Sequence, residues 1–250
     1  MDPGEPGRRS RGQPDQGGPG RGRGRAPGAQ AHARRFAITA ARPQAVVLIH
    51  GLWFSGYILW LLARRLRRQG FVIHVFSYAS VRLDLHANAA QLARFLDTLD
   101  ADTVHLVGHS LGGILIRALF QDHPRQKPGR IVTLGTPHGS CRVAQHLNRH
   151  AFWRRAMGKG VAQLLAGEPQ QWTPPPREIG ALCGTRSFGL GRFLYRGLPR
   201  PNDGLLTVKE SAFPAAQEHL VLPVSHTGMM FSRAAARQIA AFLNAGRFDR

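Results

Sequence analysis

The sequence predicts an α/β fold with a mostly parallel sheet of about six strands and helices on both faces. From Gln44 onward, short apolar runs alternate with segments of helical periodicity, a pattern typical of a parallel sheet covered on both sides. Of the 250 residues, 43% are hydrophobic, which is enough for a sizeable core. The length suits one α/β domain with appendages better than two full domains.

Six short apolar runs are predicted to be strands. They are residues 45–49, 71–76, 103–107, 130–134, 179–183 and 219–223. Between them, the leucine and alanine spacing over 85–99 places apolar side chains on one helical face. Similar patterns predict helices over 57–68 and, after the last strand, over about 232–243.

Two stretches are longer than plain crossovers require. Residues 140–176 contain an extended polar and aromatic segment that ends in a triple proline, and residues 185–216 are rich in glycine and proline. Long insertions after the carboxyl ends of strands often form lids or binding loops. We therefore expect residues 140–176 to form a lid or cap.

The first 35 residues differ in composition from the rest of the chain. Gly, Pro, Arg and Gln dominate them, and large apolar side chains are nearly absent, so burial cannot offset the entropy lost on ordering. The prediction is a disordered tail over 1–35, followed by a catalytic domain over 36–250. Two interpretations of the tail stay open: it binds an acidic partner, or it reflects an upstream translation start.

The chain is strongly basic, with 34 Lys and Arg against 14 Asp and Glu and a formal net charge of +20. Such a charge attracts phosphate, anionic lipid surfaces and acidic partners. An arginine excess also arises from GC-rich codon usage, so a solvated basic surface is the favoured interpretation. Without a zinc finger, recognition helix or aromatic ribonucleoprotein motif, nucleic-acid binding is not expected. A weak association with anionic membranes is the remaining expectation.

Metal, cofactor and membrane-span signals are weak in this sequence. Cys141 and Cys183 match no C-x-x-C spacing and are expected to be free buried thiols. His146 and His150 lie four apart on a predicted helix without an evident third ligand, so a solvated helix face is favoured over a metal site. The start lacks an apolar signal-peptide region and no run is long enough to span a membrane, which predicts a cytoplasmic protein. No cofactor is expected.

The stretch GHSLGG, residues 108–113, lies between a predicted strand and a predicted helix. In that context, G-x-S-x-G forces the serine into a strained turn that raises its hydroxyl above the sheet edge. Gly108 and Gly112 supply clearance for neighbouring chain, and the helix that starts at Leu111 points its positive end at the reacting oxygen. Ser110 is therefore the predicted nucleophile.

A serine nucleophile needs a base and an orienting acid, which this arrangement takes in the chain order Ser, Asp or Glu, His. Few carboxylates follow Ser110, and Asp203 stands in the turn-forming P-N-D-G loop before the last predicted strand. Asp203 is the predicted acid, with Glu210 second. Of the later histidines, His219 lies within a predicted strand, while His226 lies in a polar loop after it. His226 is the predicted base.

The oxyanion formed in acyl transfer needs two backbone amides. One comes from Leu111, directly after the nucleophile. The other is expected from the loop H-G-L-W that follows the first predicted strand, where Gly51 permits a tight exit and the amide of Leu52 is the candidate donor.

These residues resemble the α/β-hydrolases, and within them small bacterial lipase- or esterase-like members. The resemblance covers about residues 44–245 and rests on LIHGLW, LVGHSLGG, TLGTPHGS, PNDG and VSHTGMM. It implies an α/β-hydrolase fold, trimmed because no strand is recognisable before Ala45. It also implies that the G-T-P-H loop borders the active site, so that His138 shapes the pocket without being the base.

Apolar side chains flank both the predicted oxyanion loop and the predicted base. Trp53, Phe54, Tyr57 and Met229, with His138, are the predicted substrate-binding residues, and they suit an acyl chain or an aromatic group. The predicted function is a serine hydrolase that cleaves carboxylic esters, lipid esters among them, through an acyl-enzyme. Three alternatives stay open: an acyltransferase, a thioesterase, and a non-catalytic basic binding protein on a hydrolase scaffold.

Overall fold

The computed structural model describes residues 44–249. Within this range, six parallel strands form one sheet in the order β2-β1-β3-β4-β5-β6. The strands are β1 (Ala45–Ile49), β2 (Val72–Phe76), β3 (Val104–His109), β4 (Ile131–Leu134), β5 (Ile179–Gly184) and β6 (Glu218–Leu222). The predicted fold class is confirmed. The predicted tail over 1–35 lies outside the described residues.

Helices connect the strands. They are α1 (Trp60–Arg67), α2 (Leu85–Asp97), α3 (Leu111–Asp122), α4 (Arg142–Leu147), α5 (Ala151–Ala166), α6 (Glu168–Gln171), α7 (Leu190–Leu194), α8 (Val208–Ser211) and α9 (Arg233–Ala245). The helix predicted over 57–68 is in fact a 3₁₀-helix (Gly56–Leu59) that leads into α1, and a second 3₁₀-helix (Thr227–Phe231) precedes α9.

Both faces of the sheet are buried, as strand β1 illustrates. Val47 and Ile49 pack into the cluster that includes α2 and α3, whereas Val46 and Leu48 pack into the opposite cluster with α1 and α9. The continuous apolar run of a parallel strand follows from this two-sided burial. None of the helices in the described range is both long and apolar enough to cross a bilayer.

Local signals fix where two of the longer helices begin. The side chain of Asp84 accepts a hydrogen bond from the amide of Ala87 at the start of α2, at 2.7 Å. The hydroxyl of Ser232 accepts one from the amide of Ala235 at the start of α9, at 3.1 Å. Each cap satisfies an amide that the first helical turn leaves without a partner.

Helices α4 to α7 lie in the two stretches that are too long for plain crossovers. Helix α5 is broken at Gly158, which has φ 75° and ψ −173°. A Cβ at this glycine would lie 2.2 Å from the carbonyl oxygen of Val81, so the close approach of the Val81 loop requires glycine there.

Candidate active site

Ser110 occupies the sharp turn between β3 and α3. Its backbone has φ 54° and ψ −121°, and its amide donates to the carbonyl of Leu134 at 2.9 Å. Positive φ is costly for a residue with a Cβ and persists only where the surroundings enforce it. Among the described non-glycine residues only Ser110 and Trp53 have it, and both line the same pocket.

The glycines of GHSLGG are required by close packing. A Cβ at Gly108 would lie 2.6 Å from the amide nitrogen of Gly113, and one at Gly112 would lie 2.6 Å from the carbonyl oxygen of Ile49. Backbone atoms of this kind cannot move aside cheaply. The clearance predicted from G-x-S-x-G is therefore present on both sides of Ser110.

Asp203 and His226 form a buried pair. His226 Nδ1 donates to Asp203 Oδ2 at 2.7 Å, while Asp203 Oδ1 accepts from the amides of Leu205 and Leu206 at 2.9 and 2.8 Å. The amide of His226 also donates to the carbonyl of Asp203 at 2.8 Å. Asp203 thus holds the proton of His226 on Nδ1 and leaves Nε2 as the ring nitrogen that can accept one.

Electrostatics keep Asp203 ionised. Burial alone would raise the pKa of this carboxyl group, but the positive charge of His226 and the hydrogen bonds from His226, Leu206 and Leu205 outweigh it, and the pKa lies below its ordinary value. An ionised carboxylate stabilises the imidazolium that forms when His226 takes a proton.

Ser110 and His226 both line one pocket of about 950 Å³, its open mouth included. Within the described part of the chain, no hydrogen bond joins the Ser110 hydroxyl to His226. Catalytic hydrogen bonds often shorten only when substrate binds.

The two candidate oxyanion donors border the same pocket. Leu111 is the first residue of α3, so its amide is one of those that no helical carbonyl accepts. Leu52 also lines the pocket, directly after Gly51. A Cβ at Gly51 would lie 2.9 Å from Ser110 Cβ, which shows how closely this loop passes the serine.

The rest of the pocket is mostly apolar and includes two of the predicted substrate-binding residues. Trp53 and Phe54 line it. Side chains of α4, α5 and α7 cover it, among them Leu147, Met157 and Leu194. The predicted lid stretch thus supplies much of the wall.

Three predicted substrate-binding residues lie outside this pocket, which corrects the sequence-based assignment. Tyr57 is 87% exposed on the 3₁₀-helix before α1, and Met229 is fully buried in the core beneath α9. His138 stacks on Phe213 with ring centroids 4.3 Å apart, and its Nε2 lies 3.1 Å from Thr133 Oγ1. Burial lowers the pKa of His138 well below its ordinary value, so it is a neutral core side chain.

The second candidate acid has a different position. Glu210 accepts hydrogen bonds from the amide of Arg142 at 2.7 Å and from the amide and hydroxyl of Thr207, both at 2.8 Å. It therefore caps α8 and ties α4 to the loop that carries Asp203. His219, the alternative base, lies on edge strand β6 with an exposed side chain, and its Nε2 accepts from the amide of Phe213.

Sequence reasoning missed the position of His109. The spacing predicts only that its side chain points away from the serine hydroxyl. In the structure, His109 Nε2 lies 3.0 Å from the carbonyl oxygen of His226, and the two rings are 4.8 Å apart. Burial lowers the pKa of His109 to about 3, so a neutral ring contacts the backbone of His226. No spacing in the sequence could reveal this long-range contact.

Other reactive groups near the site are inert. Cys141 lines the pocket, but burial raises the pKa of its thiol to about 12, which keeps it protonated. His146 belongs to α4 and His150 directly precedes α5, so they do not share the single helix predicted from their spacing. Over residues 44–249, no group of three or more His, Cys, Asp or Glu side chains is placed to hold a metal ion.

A protein-family model described as the alpha/beta hydrolase family matches residues 46–249. No curated protein sequence matches the chain. Structural similarity is found with a metagenomic carboxyl esterase, at 14% identity and a TM-score of 0.61, over 75% of this chain. The chain spans 65% of the length of that esterase.

Two further structures show similarity of the same kind. An extracellular alpha/beta-hydrolase from a Paenibacillus species matches at 16% identity and a TM-score of 0.53, over 83% of this chain and 100% of that one. The RedJ thioesterase of the prodiginine pathway in Streptomyces coelicolor matches at 16% identity and a TM-score of 0.51, over 82% of this chain and 90% of that one.

Proposed function

Since the chain belongs to the alpha/beta hydrolase family, we propose that it cleaves carboxylic esters with Ser110 as nucleophile, His226 as base and Asp203 as the orienting acid. The observation that carries the proposal is the 2.7 Å hydrogen bond between His226 Nδ1 and the buried Asp203, on the pocket that Ser110 lines. A binding protein would have no use for an ionised acid, a base and a strained serine at one pocket.

The reaction proceeds through an acyl-enzyme. Ser110 Oγ attacks the ester carbonyl carbon while His226 Nε2 takes the hydroxyl proton, and the amides of Leu52 and Leu111 donate to the oxyanion. The C–O bond then breaks, and the leaving alcohol takes the proton from His226. Water attacks the acyl-enzyme in the same way, and Ser110 recovers its proton as the carboxylic acid leaves.

The pocket wall favours an ester with an apolar group. The space of about 950 Å³ includes the open mouth, and most of the side chains that line it are apolar. Apolar side chains from α4, α5 and α7 would cover an acyl chain or a ring and exclude water from the reacting carbonyl. Lipid esters are the extreme of this class, and short polar esters should be poor substrates.

The test is a chain-length series of p-nitrophenyl esters with the wild-type protein and Ser110→Ala. We expect kcat/KM to rise from acetyl to medium chains and to fall to background in Ser110→Ala. A fluorophosphonate should label Ser110 in the wild type only. Folded wild-type protein that neither turns over the esters nor reacts with the probe would contradict the proposal.

The same groups could act on a thioester or pass the acyl group to another acceptor. Thioesters of matched chain length, and ester assays with added alcohol, separate these reactions from ester hydrolysis. In each case, the reaction should depend on Ser110.

A further inference from the structure

Two segments form one continuous cover over the pocket, and we call them the roof: residues 142–166 and 185–200. The rings of His146 and Tyr195, one from each segment, lie 4.9 Å apart. Trp53 at the pocket wall donates from Nε1 to the carbonyl of Ala156 at 2.8 Å, which ties the first segment to the oxyanion loop. Phe188, in the second segment, lines the pocket and is largely exposed, so the roof borders the mouth of the pocket.

The roof carries positive charge only. Residues 142–166 contain five cations, residues 185–200 contain four, and neither segment contains an Asp or Glu. All nine side chains are exposed: Arg142, Arg149, Arg154, Arg155, Lys159, Arg186, Arg192, Arg196 and Arg200. A uniform cationic surface around a pocket mouth attracts anions and repels cations.

Large aromatic side chains on the same roof point into water. Phe152, Phe188 and Phe193 are 73%, 68% and 76% exposed. Phe188 lines the pocket, and Phe193 precedes the lining residue Leu194. The ring of Phe152 lies 5.2 Å from that of Trp153, which in turn lies 6.2 Å from the ring of the lining residue Trp53. Exposed apolar groups at the rim of a pocket, set among polar residues, mark a surface that meets an apolar phase.

We propose that the roof binds the surface of an anionic lipid bilayer, with the mouth of the pocket facing the lipid. An anionic bilayer offers negative headgroups to the cations of the roof and an interfacial apolar layer to its three exposed phenylalanines. A soluble polyanion such as nucleic acid would satisfy the cations and leave the phenylalanines in water. The proposal goes beyond ester cleavage and does not depend on it, because Ser110→Ala should bind vesicles as the wild type does.

The experiment is co-sedimentation of the full-length protein with phosphatidylglycerol-containing vesicles and with pure phosphatidylcholine vesicles, at low and high salt. The charge variant replaces Arg149, Arg155, Arg192 and Arg196 with Gln. Its matched control replaces Arg64, Arg68, Arg233 and Arg237 with Gln. These exposed side chains lie on α1, directly after it and on α9, over the opposite face of the sheet. Both variants lose the same net charge, so only the location differs. Melting temperatures report that each is folded.

We expect the roof variant to lose roughly 10²- to 10³-fold in partitioning to anionic vesicles at low salt, since each surface cation contributes roughly fivefold. The control should lose less than tenfold. The double variant Phe152→Ser/Phe193→Ser should bind anionic vesicles more weakly at high salt, where the charges are screened.

Three results would overturn the proposal. The first is an equal loss of vesicle partitioning in the roof variant and its control, and the second is equal binding of the wild type to anionic and neutral vesicles. The third is retained vesicle binding in a roof variant that has lost affinity for a single-stranded oligonucleotide. The last result would assign the roof to nucleic acid instead.

Discussion

Replacing Asp203 with Asn separates the orienting role of this residue from its structural role. Asn Oδ1 can still accept from the amides of Leu205 and Leu206, which Asp203 Oδ1 holds at 2.9 and 2.8 Å, so the loop should keep its shape. The new NH₂ group faces His226 Nδ1, where the carboxylate oxygen was 2.7 Å away. Two donors cannot share that position, so His226 must move its proton to Nε2.

The magnitude follows from this change of tautomer. With its proton on Nε2, His226 cannot accept one from Ser110, and the lost carboxylate no longer stabilises the imidazolium. Such a change lowers kcat by about 10³- to 10⁴-fold, or roughly 4 to 5.5 kcal/mol of barrier. Folding should lose about 1.5–3 kcal/mol, the contribution of one hydrogen bond to a charged group.

The assay is kcat for the best p-nitrophenyl ester, together with the rate of fluorophosphonate labelling, which should fall by a similar factor because acylation needs the same base. Glu210→Gln is the matched control. This substitution places a side-chain NH₂ group opposite a backbone amide, and two donors cannot form a hydrogen bond. It should therefore lower the melting temperature while kcat stays within tenfold of the wild type. The assignment of the acid is wrong if Asp203→Asn keeps its activity and Glu210→Gln loses a thousandfold.

Three further predictions concern packing, pH and the tail. Gly51→Ala places a methyl group 2.9 Å from Ser110 Cβ and should lower kcat/KM by about 10²-fold, because the nucleophile is displaced. Ser110→Ala is the control that gives the background turnover. Unchanged kinetics in Gly51→Ala would show that the loop moves to accommodate the methyl group. Burial lowers the pKa of His105 to about 4 and of His109 to about 3, below the unfolded value of 6.5, so the stability from these neutral rings is present above pH 6.5 and is lost as the pH falls. Urea unfolding should show that the free energy of unfolding falls by on the order of 2 kcal/mol for each ring between pH 8 and pH 5. His105→Gln should remove about half of the total fall. A free energy of unfolding that does not change with pH would refute the linkage. Deletion of residues 1–35 should leave the melting temperature and the turnover of a soluble ester unchanged, as expected if the catalytic domain begins at about residue 36; lost activity would move that boundary.

The sheet could be predicted almost entirely from the sequence. Parallel strands are buried on both faces, so each appears as an apolar run, and all six predicted runs lie within two residues of a strand. The single helix predicted over 57–68 begins as a 3₁₀-helix, a local geometry that apolar periodicity does not resolve. Gly158 breaks α5 because the Val81 loop approaches it, and that contact is not local in sequence.

The pairing of Asp203 with His226 could be predicted because few carboxylates follow the serine and chain order restricts the choice. The direction in which a side chain points was harder to predict than the position of its residue in the fold. Met229 is three residues after His226, but the 3₁₀-helix turns it into the core, and Tyr57 points to solvent from the start of a helix. Sequence distance from a reactive residue does not specify which way a side chain faces. The catalytic roles themselves stay predictions until the variants are assayed.

The cover over the pocket comes largely from a part of the chain that holds none of the proposed reacting groups. Residues 142–166 contribute apolar wall and surface charge, whereas Ser110, Asp203 and His226 lie on loops after β3, β5 and β6. The segment that lines the pocket and the residues proposed to react are therefore encoded by different parts of the sequence. The proposed function therefore predicts that mutations in residues 142–166 change which esters are accepted and leave the proposed reacting groups in place, so laboratory libraries should concentrate on this segment.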